Sequence, residues 1–96
     1  MLHFEWAPEK AASNLTNHGV SFAEASTVFD DLLSTTTFDP DHSVEEDRFI
    51  IVGESQAGRM LLVAHTERGD TIRIISARTL TRAERKAYAE QRDFGV

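Results

Sequence analysis

A chain of 96 residues with 41% hydrophobic content has room for one core, so a single folded domain over 1–96 is expected. It has no cysteine, which excludes a disulfide framework and a thiolate metal site. No apolar run approaches a membrane span and no basic-then-apolar leader opens the chain, so the expectation is a cytoplasmic protein with no membrane partner. The net charge of −6 is unevenly spread: residues 30–58 carry −7, and residues 59–96 carry +3. The middle repels polyanions, whereas the last third attracts them.

Leu2 to Trp6 alternates and predicts a short strand. Pro8 suits the first turn of a helix that ends at His18, with Gly19 as the residue after its C-terminus. Ser21 and Glu24 have capping-box spacing for a second helix, whose apolar stripe is Phe22, Ala25, Val28 and Phe29. Asp30 and Asp31 sit at the wrong end for its dipole, so it should fray there. Thr35 to Phe38 is β-prone and is stopped by Asp39-Pro40-Asp41; a polar acidic loop follows through Asp47. Arg48 to Val52, Met60 to His65 and Thr71 to Ser76 predict three strands joined by the turns Ser55–Gly58 and Gly69–Asp70. A last helix from Thr81 to Gln91 opens with a second capping box, Thr81 and Glu84.

The expected fold class is α+β: an antiparallel sheet of about four to five strands, two N-terminal helices and one C-terminal helix. Leu15, Phe22, Val28 and Phe29 should pack on Phe49, Ile51, Leu62 and Ile74. A one-residue register slip would bring in Leu61, Val63, Ile50 and Val52 instead.

Chemistry concentrates around the last strand. Arg73 and Arg78 flank Ile-Ile-Ser-Ala, and an arginine on a strand is costly unless its charge meets an anion. Five positions apart, they lie on opposite faces of an unbroken strand and share a site only if a bulge or the strand's end intervenes. Otherwise Arg73 forms a cross-strand ion pair, for example with Glu54 or Glu67. On the first helix Lys10, Asn14 and His18 advance by about 40° each and form a stripe beside the buried one. They line a groove or are a solvated flank. His65 ends a strand at the core's edge, either as a satisfied core histidine or as an acid–base group. Arg82, Arg85 and Lys86 give the last helix a basic face, and Trp6 and Tyr88 suit a cleft rim. No metal-ligand spacing, nucleotide loop or hydrolase elbow is present, so neither a metal nor a cofactor is expected.

Phe4-Glu-Trp-Ala-Pro-Glu-Lys10 with Asn14, Asn17-His18-Gly19 with Phe22, and Val28-Phe-Asp-Asp31 resemble the first half of the BrnT toxin family. Arg48 with Gly53, Arg73-Ile-Ile-Ser-Ala-Arg78 and Glu84-Arg-Lys-Ala-Tyr88 resemble its second half. The resemblance implies a RelE-like fold and a type II toxin–antitoxin system of a bacterial or archaeal cytoplasm. It implies a toxin that cleaves RNA and halts translation. The implied partner is a BrnA-type ribbon-helix-helix antitoxin, through which alone the toxin would meet operator DNA. On this basis Arg73, Arg78 and Lys10 are expected at the scissile phosphate, and His18 or His65 in proton transfer. Trp6, Asn14, Arg82, Arg85, Lys86 and Tyr88 are expected on RNA, and Asp39, Asp41, Glu45, Glu46 and Asp47 on the antitoxin. Family members carry Asp where this chain has Ala7, and often a cation where it has Asn17. The alternative is a weak or inactive toxin that mainly binds antitoxin as co-repressor.

Overall fold

The computed structural model describes residues 2–42 and 46–94, with side chains through Gln91. Among the described residues, five strands and three helices follow in the order β1 (His3–Glu5), α1 (Pro8–His18), α2 (Phe22–Thr27), β2 (Thr35–Phe38), β3 (Arg48–Glu54), β4 (Met60–Arg68), β5 (Thr71–Thr79) and α3 (Arg82–Phe94). Single 3-10 turns, Val28–Asp30 and Pro40–His42, precede and follow β2.

The sheet order is β1-β5-β4-β3-β2. The expected antiparallel meander is there, from β2 to β5, but β1 joins β5 in parallel, with Glu5 beside Arg73. The sheet is therefore mixed. Its first and last strands lie more than sixty residues apart, and nothing in either one's local pattern names the other as neighbour.

Helix ends follow the chemistry of their caps. Gly19, at φ 68°, sends its N–H to the Leu15 carbonyl and closes α1. Ala7 caps the other end and has no side chain to accept from the first turn. Thr81 and Glu84 make a full reciprocal box at α3, at 3.2 and 2.8 Å. At α2 only half forms: Ser21 accepts from Glu24 N–H at 3.0 Å. The Glu24 carboxylate turns instead to Ser55 and to Arg59, which also donates to the Gly19 carbonyl. Those bonds tie the β3–β4 hairpin to the helical layer. Where fraying was expected at Asp30-Asp31, the helix tightens to a 3-10 turn. Asp31 then accepts from the N–H groups of Leu33 and Glu54.

The core lies between the helices α1 and α2 and one sheet face. It contains Val20, Phe22, Ala25 and Val28 against Ile51, Leu61, Val63, Ile72, Ile74 and Ala77. The inward set thus mixes the two expected registers, because Ile51 pairs with Val63 rather than with Leu62. Leu15 departs from expectation and is 52% exposed. Its place is taken by Asn14, buried on α1, whose amide accepts from Ala77 N–H and donates to the carbonyls of Ala77 and Val20, at 2.8–3.0 Å. One side chain here does the work of a neighbouring strand, satisfying both backbone groups of Ala77 on β5.

Candidate functional site: a cationic groove on the open sheet face

A register irregularity between β4 and β5 decides where the arginines point. Ala64 pairs with Ser76 and the next residue, His65, with Ile74, so Ile75 is an extra residue. Arg73 lies beside Thr66 and Arg78 beside Leu62, positions that share a face of β4. Both arginines therefore occupy the sheet face opposite α1 and α2. They remain four β4 residues apart, roughly 13 Å at the rise of a strand.

That distance separates two environments. At the Leu62 end, α3 approaches the sheet, and a small cleft is lined by Val52, Leu62, Leu80 and Tyr88. There Arg78 forms a bidentate pair with Glu84 at 2.7 and 2.9 Å, which holds the Glu84 carboxyl down at about 2. Tyr88 is buried and its hydroxyl donates to the Leu33 carbonyl at 2.5 Å. Both side chains fasten α3, and neither borders the groove described next.

At the other end lies an open groove of about 350 Å³. Arg48, Thr66 and Arg73 are cross-strand neighbours on β3, β4 and β5 and line it together. Lys10 of α1, Arg68 of β4, and His42 and Glu46 from the acidic segment complete the wall, with the extra residue Ile75. Arg68 grips Glu46 through two bonds at 2.5 and 2.8 Å, which lowers the glutamate's pKa and raises the arginine's. Arg73 has Glu5 at 3.7 Å, a distant ion pair, and is 38% exposed on its side chain. His42 presents Nδ1 to the Asp39 carboxylate at 2.9 Å. Thr66 is 5% exposed and, among the described residues, its hydroxyl is the buried side-chain polar atom without a hydrogen-bond partner. An unsatisfied buried hydroxyl costs about 1–3 kcal/mol, and this one lies in the wall of a groove lined by cations.

From the expected catalytic set the groove holds Lys10 and Arg73, an adjoining depression holds Lys10 with Asn14 and His18, and Arg78 and His65 lie apart. His65 is fully buried on the core face, between Phe29 and Phe49, with Nε2 on Glu67 at 3.0 Å; it is a satisfied core histidine. His18 is exposed and borders a neighbouring depression with Lys10 and Asn17. Asn14 is occupied by backbone, and Trp6 packs edge-on against Phe22. Arg82, Arg85 and Lys86 are exposed on α3. Of the acidic residues, Asp39 and Glu46 turn towards His42 and Arg68, Asp41 and Asp47 are exposed, and Glu45 lies outside the described residues. Sequence reasoning had not placed His42, Thr66 or Arg68 in the site, nor given Arg48 a role beyond family likeness.

A mixed sheet with α1 and α2 on one face, and α3 and a row of cations on the other, defines a small α+β domain with a cationic groove. The comparisons specify the class. A family model described as "Ribonuclease toxin, BrnT, of type II toxin-antitoxin system" matches residues 6–84. The chain belongs to this BrnT family of ribonuclease toxins. Its fold is similar to the crystal structure of the Brucella abortus ribonuclease toxin BrnT, with a TM-score of 0.62 and 20% identity, covering 85% of this chain and 100% of that one. No curated sequence relative matches the chain.

Proposed function

We propose that this chain is an endoribonuclease whose catalytic site is the groove around Thr66, and that it cuts RNA without a metal ion. The observation that carries the reading is the gathering of Lys10, Arg48 and Arg73 in one groove with Thr66, whose buried hydroxyl has no partner among the described residues. Lys10, Arg48 and Arg73 supply positive charge for a pentavalent phosphorane, while Arg68 is held by Glu46, and preorganised donors stabilise developing charge better than water does.

The nucleophile in this account is the RNA's own 2′-hydroxyl. Its oxygen bonds to the adjacent phosphorus while its proton passes to a base. The bond from phosphorus to the 5′ oxygen breaks, and that oxygen takes a proton. The products are a 2′,3′-cyclic phosphate and a 5′-hydroxyl end. Arg73 and Arg48 hold the non-bridging oxygens, Lys10 closes the groove from the helix side, and Thr66 donates its hydroxyl to the phosphate. His42 is the groove's candidate for proton transfer. The Asp39 carboxylate on Nδ1 orients the ring and leaves Nε2 to take the proton. The imidazolium then returns its proton to solvent, and the leaving oxygen takes one from water, so the step consumes none overall.

In a cell this activity would arrest translation until an antitoxin binds. A BrnA-type ribbon-helix-helix protein fits that role, with operator DNA contacted through it. Purified protein is expected to cleave RNA in the presence of a chelator and to leave cyclic or 3′-phosphate ends. A 2′-deoxy substitution at the cleaved position should abolish the cut. Cleavage that returns only with a divalent ion and leaves 3′-hydroxyl ends would refute the mechanism, and no cleavage by folded protein would favour a binding role.

A further inference from the structure

β2 ends the sheet, and all four of its residues are exposed. Its backbone has one side to spare. Asp39 N–H donates to the Arg48 carbonyl at 2.8 Å, which makes the position beyond Phe38 a hydrogen-bonded pair with β3. Antiparallel pairs alternate, so Thr37 and Thr35 also bond to β3. Thr36 and Phe38 therefore turn their N–H and C=O groups outward. Natural edges are usually blunted by a lysine, an inward charge or a bulge. Thr35-Thr-Thr-Phe38 has none of these, and Pro40 comes only after the strand.

The surroundings of this edge are apolar and acidic. Leu32 is 99% exposed, Leu33 57% and Phe38 50%. Asp30, Asp31, Leu33 and Glu54 border an adjoining open depression, and Asp41 is exposed beyond the strand. A second copy of this chain is a poor occupant, since pairing the edge with itself would set these carboxylates against each other. A basic partner with apolar side chains matches the edge in charge, in hydrogen bonding and in hydrophobicity.

We propose that β2 is the antitoxin docking edge. A basic segment of the antitoxin adds a sixth strand beside Thr36 and Phe38 and sets apolar side chains on Leu32, Leu33 and Phe38, in the manner of strand addition at a sheet edge. The inference rests on membership of a toxin–antitoxin family and does not depend on the chemistry proposed for the groove, whose row Arg48, Thr66 and Arg73 lies on β3 to β5. Toxin and antitoxin can therefore be tested by binding alone, whatever the outcome of cleavage assays.

The experiment is amide hydrogen exchange on the chain alone and in complex with the antitoxin of its own operon, together with affinities of two variants. In the free chain Thr36 and Phe38 should exchange fast while Thr35 and Thr37 are protected. In the complex all four should be protected. Thr36→Pro removes an outward donor without touching the bonds to β3, and Leu32→Asp alters a side chain that touches solvent only. Each should weaken antitoxin binding at least tenfold with an unchanged thermal midpoint, and wild-type association should slow as salt is raised. Fast exchange at Thr36 and Phe38 in the complex, or parental affinity in both variants, would overturn the proposal. So would protection of those amides in the free chain that grows with its concentration, since the occupant would then be a second copy.

Discussion

Arg73→Ala is expected to slow RNA cleavage by about 10²–10³, the cost of removing one preorganised donor to a developing oxyanion. The fold should barely register the change. The side chain's recorded ion pair is with Glu5 at 3.7 Å and is part-exposed, a kind of contact worth about 0–1 kcal/mol. Arg78→Ala should behave in the opposite way. It leaves Glu84 without its bidentate partner and loosens the start of α3, so it should lower stability while cleavage by the folded fraction stays within a few-fold of the parent. Single-turnover rates at saturating protein, with thermal midpoints for both variants, separate the two. Parental cleavage by Arg73→Ala would mean that the phosphate is held elsewhere.

The largest effect on stability is expected at Asn14. Asn14→Leu keeps the branched shape and removes three hydrogen bonds, leaving the N–H and C=O of Ala77 and the carbonyl of Val20 without that partner. Each buried group left unsatisfied costs about 1–3 kcal/mol, so the total for three should be roughly 3–9 kcal/mol. A domain of this size has about 5–10 kcal/mol in all, so the variant should be marginal or unfolded. Leu15→Ala, one position along and 52% exposed, should cost well under its usual core value. Denaturant titrations of both variants check this. Similar midpoints would show that α1 is held by its apolar contacts and not by the amide.

Much of the fold was open to reading because local chemistry set it. Gly19 after α1, Ser21 and Thr81 at their helix starts, and the two tight turns each act within a few residues. Three features depended on distant chain. The place of β1 beside β5 has no local mark, the bulge at Ile75 appears only when two strands are paired, and Asn14 finds Ala77 across 63 residues. Asn14 does border a depression with Lys10 and His18, but its bonds to Ala77 and Val20 leave no mark in the sequence, because a polar stripe beside a buried one has the same spacing in either role.

The groove was partly within reach. Ser55 N–H bonds the Arg59 carbonyl across the first turn, and counting outward from that pair sets Arg48 opposite Thr66. Counting from the turn at Gly69-Asp70 sets Thr66 opposite Arg73. Two hairpins thus bring an arginine, a threonine and an arginine into one row. Attention to Arg73 and Arg78 as a pair hid this, since the second arginine spends its charge on the neighbouring helix. His42 falls in the stretch that reads as a polar acidic loop, and what marks it is the Asp39 contact made by the 3-10 turn.

The central claim is that RNA phosphate sits on the row Arg48, Thr66 and Arg73. The most direct test is an NMR titration of the protein with a short RNA made uncleavable by 2′-O-methylation, followed through backbone amides, the Thr66 methyl and the arginine side chains. The account predicts the largest shifts at Arg48, Thr66 and Arg73, with Lys10 and His42 following, saturation in step with one binding constant, and loss of that response in Thr66→Val and Arg73→Ala. Shifts confined to Arg82, Arg85 and Lys86 on α3, with the row across β3 to β5 undisturbed, would contradict it.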